Sequence, residues 1–275
     1  MLGGLAIYVP VVALQLLVQR LSSSQFAARV ALIFAGTALA LLIYVLFVHR
    51  IERRRVSELA PDRCLPELTP GVLLGGGLFG ATVGVLALCG ALHITGRALP
   101  SVMIGPLVGA ISAGVVEELV FRGLLLRILE SALGSWLALA LSAAVFGLLH
   151  LVAPHSSLSS AIAIMLESGV LLGGAYFVTR RLWLPIGLHI GWNFTQGGIF
   201  GIAVSGHPST GLLQAQLSGP SWLSGGAFGA EASVAAIGVC LAVTVLLLAI
   251  AARRGQLQPP PWSTRAARTE TMPAQ

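Results

Sequence analysis

The chain has 275 residues, of which 56% are hydrophobic and only 9% are charged. Because a soluble globular domain carries roughly 25% charged residues, this composition excludes an ordinary soluble protein and indicates a membrane protein with many spans. The net charge of +6 comes from arginine alone, since the sequence contains no lysine. In so apolar a chain this excess concerns membrane topology, and we expect the lipid bilayer and no nucleic acid as a partner.

Eight stretches are apolar and close to the ~20 residues that cross a ~30 Å hydrocarbon layer. The N-terminus lacks the basic region and the cleavage site of a signal peptide, so we predict a span there as well. The spans are predicted at 3–19, 27–48, 71–95, 102–128, 135–153, 159–179, 182–204 and 230–252. The predicted fold class is therefore all-α: a polytopic membrane protein with about eight transmembrane helices.

The chain divides into three predicted parts. Residues 1–70 contain two spans and the basic loop 49–70, and residues 71–252 contain the other spans and a Gly/Ser-rich loop at 205–229. The polar, proline-containing segment 253–275 is predicted to be a disordered tail. Glycines recur at four-residue spacing in the third and sixth spans, where they predict close helix packing in lipid. They are Gly76, Gly80, Gly84, Gly169 and Gly173.

The arginines fall mainly on one side of the predicted spans. Twelve lie in the loop 49–70, after the fourth span, between the sixth and seventh spans, or in the tail. Only Arg20, Arg29 and Arg97 lie on the other side. Because cytoplasmic loops are enriched in Arg and Lys, we expect both termini to be cytoplasmic, in a bacterial plasma membrane.

A few ionisable residues interrupt the apolar spans. The stretch GVVEELVFRG places Glu117, Glu118 and Arg122 in the fourth span. A central charge costs about 2.5–3.5 kcal/mol even on lenient insertion scales, so such residues are functional candidates by default. Glu118 and Arg122 lie one turn apart and can neutralise each other. Glu117 lies about 100° around the helix and needs another partner, or it stays protonated.

Candidate partners for Glu117 occur in two later spans. The fifth span ends in AVFGLLHLVAP, with His150 one turn after Phe146, and the seventh contains LPIGLHIGWNF, with His189 and Asn193 on one face. A single histidine in an apolar helix is usually a satisfied core residue, but this set on three spans favours a shared site. Counted along the helices, the depths of Glu117 and the two histidines differ by about 12 Å, so convergence requires tilted helices.

These residues form three motifs in order: E-E-x-x-x-R (Glu117, Glu118, Arg122), F-x-x-x-H (Phe146, His150) and H-x-x-x-N (His189, Asn193). In this pattern the chain resembles the CAAX-protease and bacteriocin-processing (CPBP, or Abi) family of intramembrane proteases, relatives of the type II CAAX prenyl endopeptidases. The resemblance covers residues 117–193 and the flanking stretches LVFRGLLL and LWLPIGLH.

The resemblance implies an endopeptidase with an active-site cavity inside the membrane, acting on a membrane-associated protein or peptide. Carried over by position, Glu117 is the general base, His150 helps to bind and polarise the water, and His189 and Asn193 stabilise the oxyanion. Elementary chemistry agrees, since a glutamate accepts a proton from water and imidazole and amide groups donate to an oxyanion. The supporting residues are Glu118, Arg122 and Phe146.

The sequence leaves the use of a metal open. Glu117, His150 and His189 could form a His2Glu zinc site with an open fourth position. No HExxH motif is present, however, and the His189–Asn193 pair suits oxyanion donation, so we favour no metal cofactor. The cysteines are far apart and predict neither a disulfide nor a thiolate metal site. They are Cys64, Cys89 and Cys240.

Two other functions fit the same residues. Intramembrane Glu and His also form proton relays, so a proton-coupled carrier is one alternative. A catalytically silent immunity or scaffold protein of the same family is the other. Glu167 in the sixth span could line the same cavity or be a protonated carboxyl bonded to a neighbour, and His155 at a span end is expected to be solvated.

Overall fold

The structure, a computed structural model, describes residues 25–263; the first predicted span, 3–19, lies outside them. Its helices are α1 Phe26–Arg50, α2 Cys64–Leu88, α3 Ile104–Glu118, α4 Arg127–Leu133, α5 Ser135–Leu149, α6 Leu158–Ile164, α7 Val170–Thr179, α8 Trp183–Phe194, α9 Ser221–Ser224 and α10 Val234–Arg253. Two short strands, β1 Leu92–Arg97 and β2 Leu213–Leu217, complete the fold.

Within residues 25–263, six helical segments are long and apolar enough to cross a membrane, which confirms the predicted all-α polytopic class. They are Phe26–Arg50, Ser57–Leu88, Pro100–Leu133, Ser135–Val152, Leu158–Thr179 and Val234–Arg253. The predicted span 182–204 is instead the shorter helix α8, most of which is buried among the others. Large apolar side chains such as Leu73 and Leu246 are exposed on the longer helices, where lipid would cover them.

Three helices contain π-helical turns, at Leu119–Leu126, Met165–Gly169 and Thr195–Ile199. The first directly follows Glu118, and the third begins two residues after Asn193. A π turn holds an extra residue in the helix and is frequent at functional sites. The irregular turns therefore adjoin the first and third motifs.

The predicted third span, 71–95, extends too far at its C-terminal end. α2 ends at Leu88, and Gly90 turns the chain with a φ of +69°. The following LHITGR stretch is rich in β-branched and alternating residues, which favour a strand over continued helix. It forms β1, which pairs antiparallel with β2 from the predicted loop 205–229, so that Leu92 lies opposite Leu217.

α2 and α8 cross in direct backbone contact. A methyl group on Gly75 would lie 2.8 Å from the amide nitrogen of Trp192 and would collide with the carbonyl oxygen of Leu188. Glycines at four-residue spacing on both helices allow this approach. The other glycines of the contact are Gly71, Gly187 and Gly191.

Within residues 25–263, two of the three glycines predicted to pack on the third span make no close contact. A methyl group on Gly80 or Gly84 would meet no atom of these residues within 4 Å, because these positions lie about 140–180° around α2 from Gly75. Gly76 is tight only against one side-chain oxygen. The sixth-span prediction is confirmed, since a methyl group on Gly169 would lie 2.8 Å from a side-chain atom of α5, and one on Gly173 would also collide there.

The arginine-rich end of the bundle is closed by ion pairs between elements. Together these pairs hold the predicted basic loop 49–70, α4 and the loop before α8 in place at this end. They are Arg127 with Glu52, Arg181 with Glu67, Arg180 with Glu130, and Arg54 with both Glu52 and Glu58. Tyr44 also donates a hydrogen bond to Glu58, which is buried.

The first residues of the predicted disordered tail also pack at this end. The Ser135 N–H donates to the Gln258 carbonyl at 2.9 Å, and the Gln258 N–H donates to Ser135 Oγ at 2.7 Å. Arg180 donates to the Gln256 carbonyl. The chain therefore departs from the predicted tail up to this point, and residues 264–275 lie outside the described residues. The three-part division of the chain stays a prediction, although α2 crosses its boundary at residue 70.

We expect Gly75→Ala to destabilise the protein by about 2–3 kcal/mol, the upper part of the range for overpacking. The added methyl group would force apart the backbones of α2 and α8. The measurement is thermal unfolding of the purified protein in detergent.

Gly80→Ala is the matched control on the same helix. It adds the same methyl group to open space and should leave stability unchanged or slightly raised, because Ala is a better helix former than Gly. Equal unfolding temperatures for the two variants would contradict the importance of the α2–α8 contact.

Candidate active site

Residues from all three motifs line one cavity. The cavity has a volume of about 850 Å³, and α3, the end of α5, α8 and the segment 204–209 bound it. Glu117, His150, His189 and Asn193 all contribute to its lining. The convergence that the sequence analysis required is therefore present, while the roles of these residues stay predictions.

Glu118 lies at the centre of a buried hydrogen-bond network. Its Oε1 accepts a hydrogen bond from Arg122 at 2.8 Å and lies 3.0 Å from Nδ1 of His189. Glu118 is fully buried, and Arg122 is only 1% exposed. A buried ion pair is stable only when further hydrogen bonds satisfy its polar atoms. The predicted Glu118–Arg122 pair is present, and through His189 it joins the first motif to the third.

Arg122 extends the network to two other helices. It donates to the carbonyl oxygens of Ser168 at 3.2 Å and Gly169 at 3.1 Å, in the π turn between α6 and α7. Its guanidinium carbon also lies 4.7 Å from the ring centroid of Phe146, which is a cation–π distance. The Phe146 ring of the second motif therefore stacks on the buried Arg122 guanidinium.

Each histidine is oriented through its Nδ1 atom. Nδ1 of His150 lies 2.8 Å from the carbonyl oxygen of Phe146. Since a carbonyl only accepts, this Nδ1 carries a proton, and Nε2 of the neutral ring is an acceptor. Nδ1 of His189 donates in the same way to Glu118. In both rings Nε2 is the nitrogen left for chemistry in the cavity.

Glu117 differs sharply from its neighbour Glu118. Its side chain is 25% exposed, compared with 0% for Glu118. Its Oε2 lies 4.0 Å from Nε2 of His189, which is beyond hydrogen-bond distance. The Glu118 carboxylate is therefore buried between the helices, whereas the Glu117 carboxylate faces the cavity.

The sequence analysis missed one ionisable residue of the cavity lining. His207 lines the cavity and is exposed. It lies in the predicted loop 205–229, where no helical periodicity connects it to the motifs. The only local signal was the turn-forming SGHP sequence. Ser205 and Gly206 have positive φ angles of 47° and 75°, and Val204 pairs with His207 across the turn.

Three contacts hold this turn beside the cavity. The Gly206 N–H donates to the Phe228 carbonyl at 2.7 Å, and the Ser205 N–H donates to the carboxylate of Glu231. A side chain on Gly206 would collide with the carbonyl of Pro154, so only glycine fits the position and its positive φ. Glu231 precedes α10, and burial raises its pKa to about 7.

The segment that carries these motifs also matches a known protein family. Residues 98–195 match the family described as type II CAAX prenyl endopeptidase Rce1-like. The matched segment is less than half of the chain but contains all three motifs, and it confirms the predicted resemblance to CPBP intramembrane proteases. The match supports a CAAX-type intramembrane endopeptidase in general. No curated protein and no solved structure matches the chain.

The remaining ionisable residues of the predicted spans lie away from the cavity lining. Within the Rce1-like segment, Glu167 is buried and accepts hydrogen bonds from Ser168 Oγ at 2.8 Å and from Cys240 Sγ at 3.7 Å. Of the two alternatives for Glu167, this geometry favours the carboxyl bonded to its neighbours. His155 is exposed, as predicted, and His93 is exposed on β1.

The candidate zinc ligands do not fit a metal ion in this arrangement. Within residues 25–263, no three His, Cys, Asp or Glu side chains are grouped so that they could hold a metal. This includes the set Glu117, His150 and His189, although all three line the cavity of the Rce1-like segment. The cysteines of the chain are free thiols, with Cys64 and Cys89 near opposite ends of α2.

We expect Glu231 to make the stability of the protein fall between about pH 4.5 and 7. Its folded-state pKa of about 7 exceeds the ordinary value of 4.5, so in this window the folded state retains a proton that the unfolded state has lost. The stabilisation is complete below pH 4.5 and is lost as the pH rises through 7. A shift of this size corresponds to about 3 kcal/mol.

The measurement is the unfolding temperature in detergent across this pH range, for the wild type and for Glu231→Gln. The variant cannot titrate at this position, so its curve should be flatter. Parallel curves would mean that another group is responsible for the pH dependence.

Proposed function

We propose that this protein is an intramembrane endopeptidase that hydrolyses a peptide bond of a membrane-associated protein or peptide with water activated by Glu117. The observation that carries the proposal is the convergence of Glu117, His150, His189 and Asn193 on one cavity of about 850 Å³. Such a cavity has room for a peptide segment and a water molecule. The Rce1-like match over residues 98–195 supports the same class of reaction.

Glu117 is the best candidate for the general base because its carboxylate, unlike that of Glu118, is not engaged in the buried hydrogen-bond network. Glu118 already accepts hydrogen bonds from Arg122 and His189, so a proton taken up by Glu118 would disrupt a buried network. Within residues 25–263, the Glu117 side chain accepts no such hydrogen bond, and it faces the cavity. A partly exposed carboxylate in an apolar cavity is suited to accept a proton from water.

His150 binds the attacking water in this mechanism. With its proton on Nδ1, its Nε2 accepts a hydrogen bond from the water while Glu117 accepts the other proton. This arrangement directs a lone pair of the water oxygen towards the substrate carbonyl. The ring is held in place by Phe146, whose centroid lies 4.8 Å away.

His189 and Asn193 stabilise the oxyanion that forms when water attacks. The amide of Asn193 is a donor in any state. His189 already donates through Nδ1, so it donates to the oxyanion only when Nε2 also carries a proton. Glu118 at 3.0 Å and Glu117 at 4.0 Å both favour this imidazolium form. Donors aimed at an oxyanion are each worth roughly 10²- to 10³-fold in rate.

The reaction balances with these groups alone. The water oxygen forms a bond to the carbonyl carbon, and its proton passes to Glu117. The tetrahedral oxyanion then collapses, the C–N bond breaks, and Glu117 returns the proton to the departing amine. The products are a new carboxylic acid and a new amine. The acid then passes its remaining proton to the amine, which leaves a carboxylate and a charged amino terminus.

The protein is an integral membrane protein by its apolar helices and its family match. We place it in a bacterial plasma membrane with both termini in the cytoplasm. The concentration of arginine at one end of the bundle supports this orientation.

We expect Glu117→Gln to reduce cleavage at least 100-fold, because the amide cannot accept the proton of water and a general base contributes roughly 10²- to 10⁴-fold. The readout is N- and C-terminal proteomics of membrane and secreted peptides from cells that express the wild type or the variant. Expression and unfolding temperature should be unchanged, since Glu117 lies at the cavity surface.

Glu167→Gln is the matched control, since it makes the same change in another membrane-embedded glutamate outside the cavity lining. It should leave cleavage intact. If no peptide terminus depends on Glu117, the endopeptidase proposal is wrong. A solute flux that depends on Glu117 would then favour a carrier, and a partner bound equally well by both proteins would favour a silent scaffold.

We also expect cleavage by the purified protein to persist after treatment with EDTA or 1,10-phenanthroline. The physical reason is that Glu117, His150 and His189 are not grouped as metal ligands, whereas Glu117 alone can activate water. The measurement is turnover of a substrate identified by the terminal proteomics. Loss of turnover that added Zn²⁺ restores would show that a metal takes part.

A further inference from the structure

The two ends of the helix bundle are built differently. At the arginine-rich end, Glu58, Glu67 and Glu130 are buried, and each forms an ion pair with an arginine. These pairs connect α2, α4 and the loops before α2 and α8. No residue of this end lines the cavity. The arginine-rich end is therefore a closed, charged cap on the bundle.

The cavity opens at the opposite end. Its lining begins at Pro106, in the first turn of α3, and reaches inward as far as Phe121. Around the opening lie Val152, Pro154 and His207, all of which are exposed. From this rim, Glu117 lies about 16 Å further along the helix from Pro106.

The walls of the cavity carry little charge. Among the described residues that line it, Glu117 is the only acid, the only basic groups are three histidines, and no arginine is present. Apart from the amide of Asn193, the other lining side chains are small, apolar or hydroxyl-bearing. Such a surface suits an uncharged, largely apolar peptide segment, because a buried charge without a partner would cost several kcal/mol.

We propose that the cavity faces the extracytoplasmic side of the membrane, and that the protein cleaves polypeptides which present an apolar, uncharged segment at that face. Cytoplasmic ends of membrane helices are enriched in Arg and Lys. In the described residues, the closed end carries Arg50, Arg53, Arg54, Arg55, Arg63, Arg127, Arg180, Arg181, Arg253 and Arg254, and the cavity end carries Arg29 and Arg97.

The cleavage part of this inference rests on the proposed function, whereas the direction of the cavity does not. A cytoplasmic C-terminal peptide would have to cross the bundle to reach Glu117. The substrates are instead exported or membrane-anchored chains whose scissile segment lies at or near the outer surface.

Two native cysteines can show which side of the membrane the cavity faces. Cys64 and Cys89 flank the 25-residue α2 at its arginine-rich and cavity ends, and Cys240 is buried. In intact cells, a charged, membrane-impermeant maleimide should label Cys89 and not Cys64. After permeabilisation both should react. Loss of labelling in the single variant Cys64→Ser or Cys89→Ser identifies which cysteine had reacted. Protection of Cys89 in intact cells, or equal labelling of both cysteines there, would overturn the proposal.

An engineered pair provides a second measurement if the native thiols react poorly. In a chain without Cys64 and Cys89, His207→Cys places a thiol at the rim of the cavity, and Arg63→Cys places one at the arginine-rich end, where the side chain of Arg63 is 57% exposed. Intact cells should label the first variant and spare the second. The reverse pattern would overturn the proposal.

The termini that depend on Glu117 test the substrate class separately. They should map to apolar segments at the extracytoplasmic flank of membrane or exported proteins. Termini confined to cytoplasmic tails would overturn the substrate class even if the labelling succeeds. If no terminus depends on Glu117, the proposed function fails, while the maleimide result still decides which side the cavity faces.

Discussion

The buried Glu118–Arg122 ion pair is the interaction on which the arrangement of the site depends. Two fully desolvated charges are stable only with additional hydrogen bonds, and here His189, the Ser168 and Gly169 carbonyls and the Phe146 ring supply the surrounding contacts. These groups come from α8, the turn between α6 and α7, and α5. The need to satisfy one charge pair therefore fixes three helices relative to α3. The cavity is the space that remains beside this fixed set.

The adjacent residues Glu117 and Glu118 have different surroundings because successive side chains of a helix point about 100° apart. Glu118 faces the packed interior and Glu117 faces the cavity, so one sequence step separates a buried, hydrogen-bonded carboxylate from one that lines the cavity. Behind α8, the glycine contact with α2 brings backbone against backbone. That close contact restricts movement of α8, the helix that carries His189 and Asn193. Tight packing on one side of α8 thus supports an open cavity on the other.

Much of the fold and most of the site followed from the sequence, for identifiable physical reasons. Long apolar runs and charges inside them have few alternative explanations in a membrane, and motif spacing identified the residues that line the cavity. Features set by tertiary contact were not predictable. Which glycines of α2 touch α8 depends on a crossing angle, and Gly75 looks no different from Gly80 in the sequence. His207 reaches the cavity only through a turn held by Glu231, and β1 forms only because β2 lies beside it.

The π turn Leu119–Leu126 joins α3 to α4 in one long helical segment, and each of these two helices is held by its own contacts. On one side of it, Glu118 is bound to His189 of α8; on the other, Arg127 and Glu130 are bound to Glu52 and Arg180. A single residue corresponds to a rotation of about 100°. The extra residue of the π turn therefore sets the rotation of the first part of the helix relative to the second. Deleting one residue from this turn would rotate one part relative to the other, so that the ion pairs and the cavity-facing side of α3 could not both stay in place. The length of this stretch is therefore as restricted as the identity of its residues.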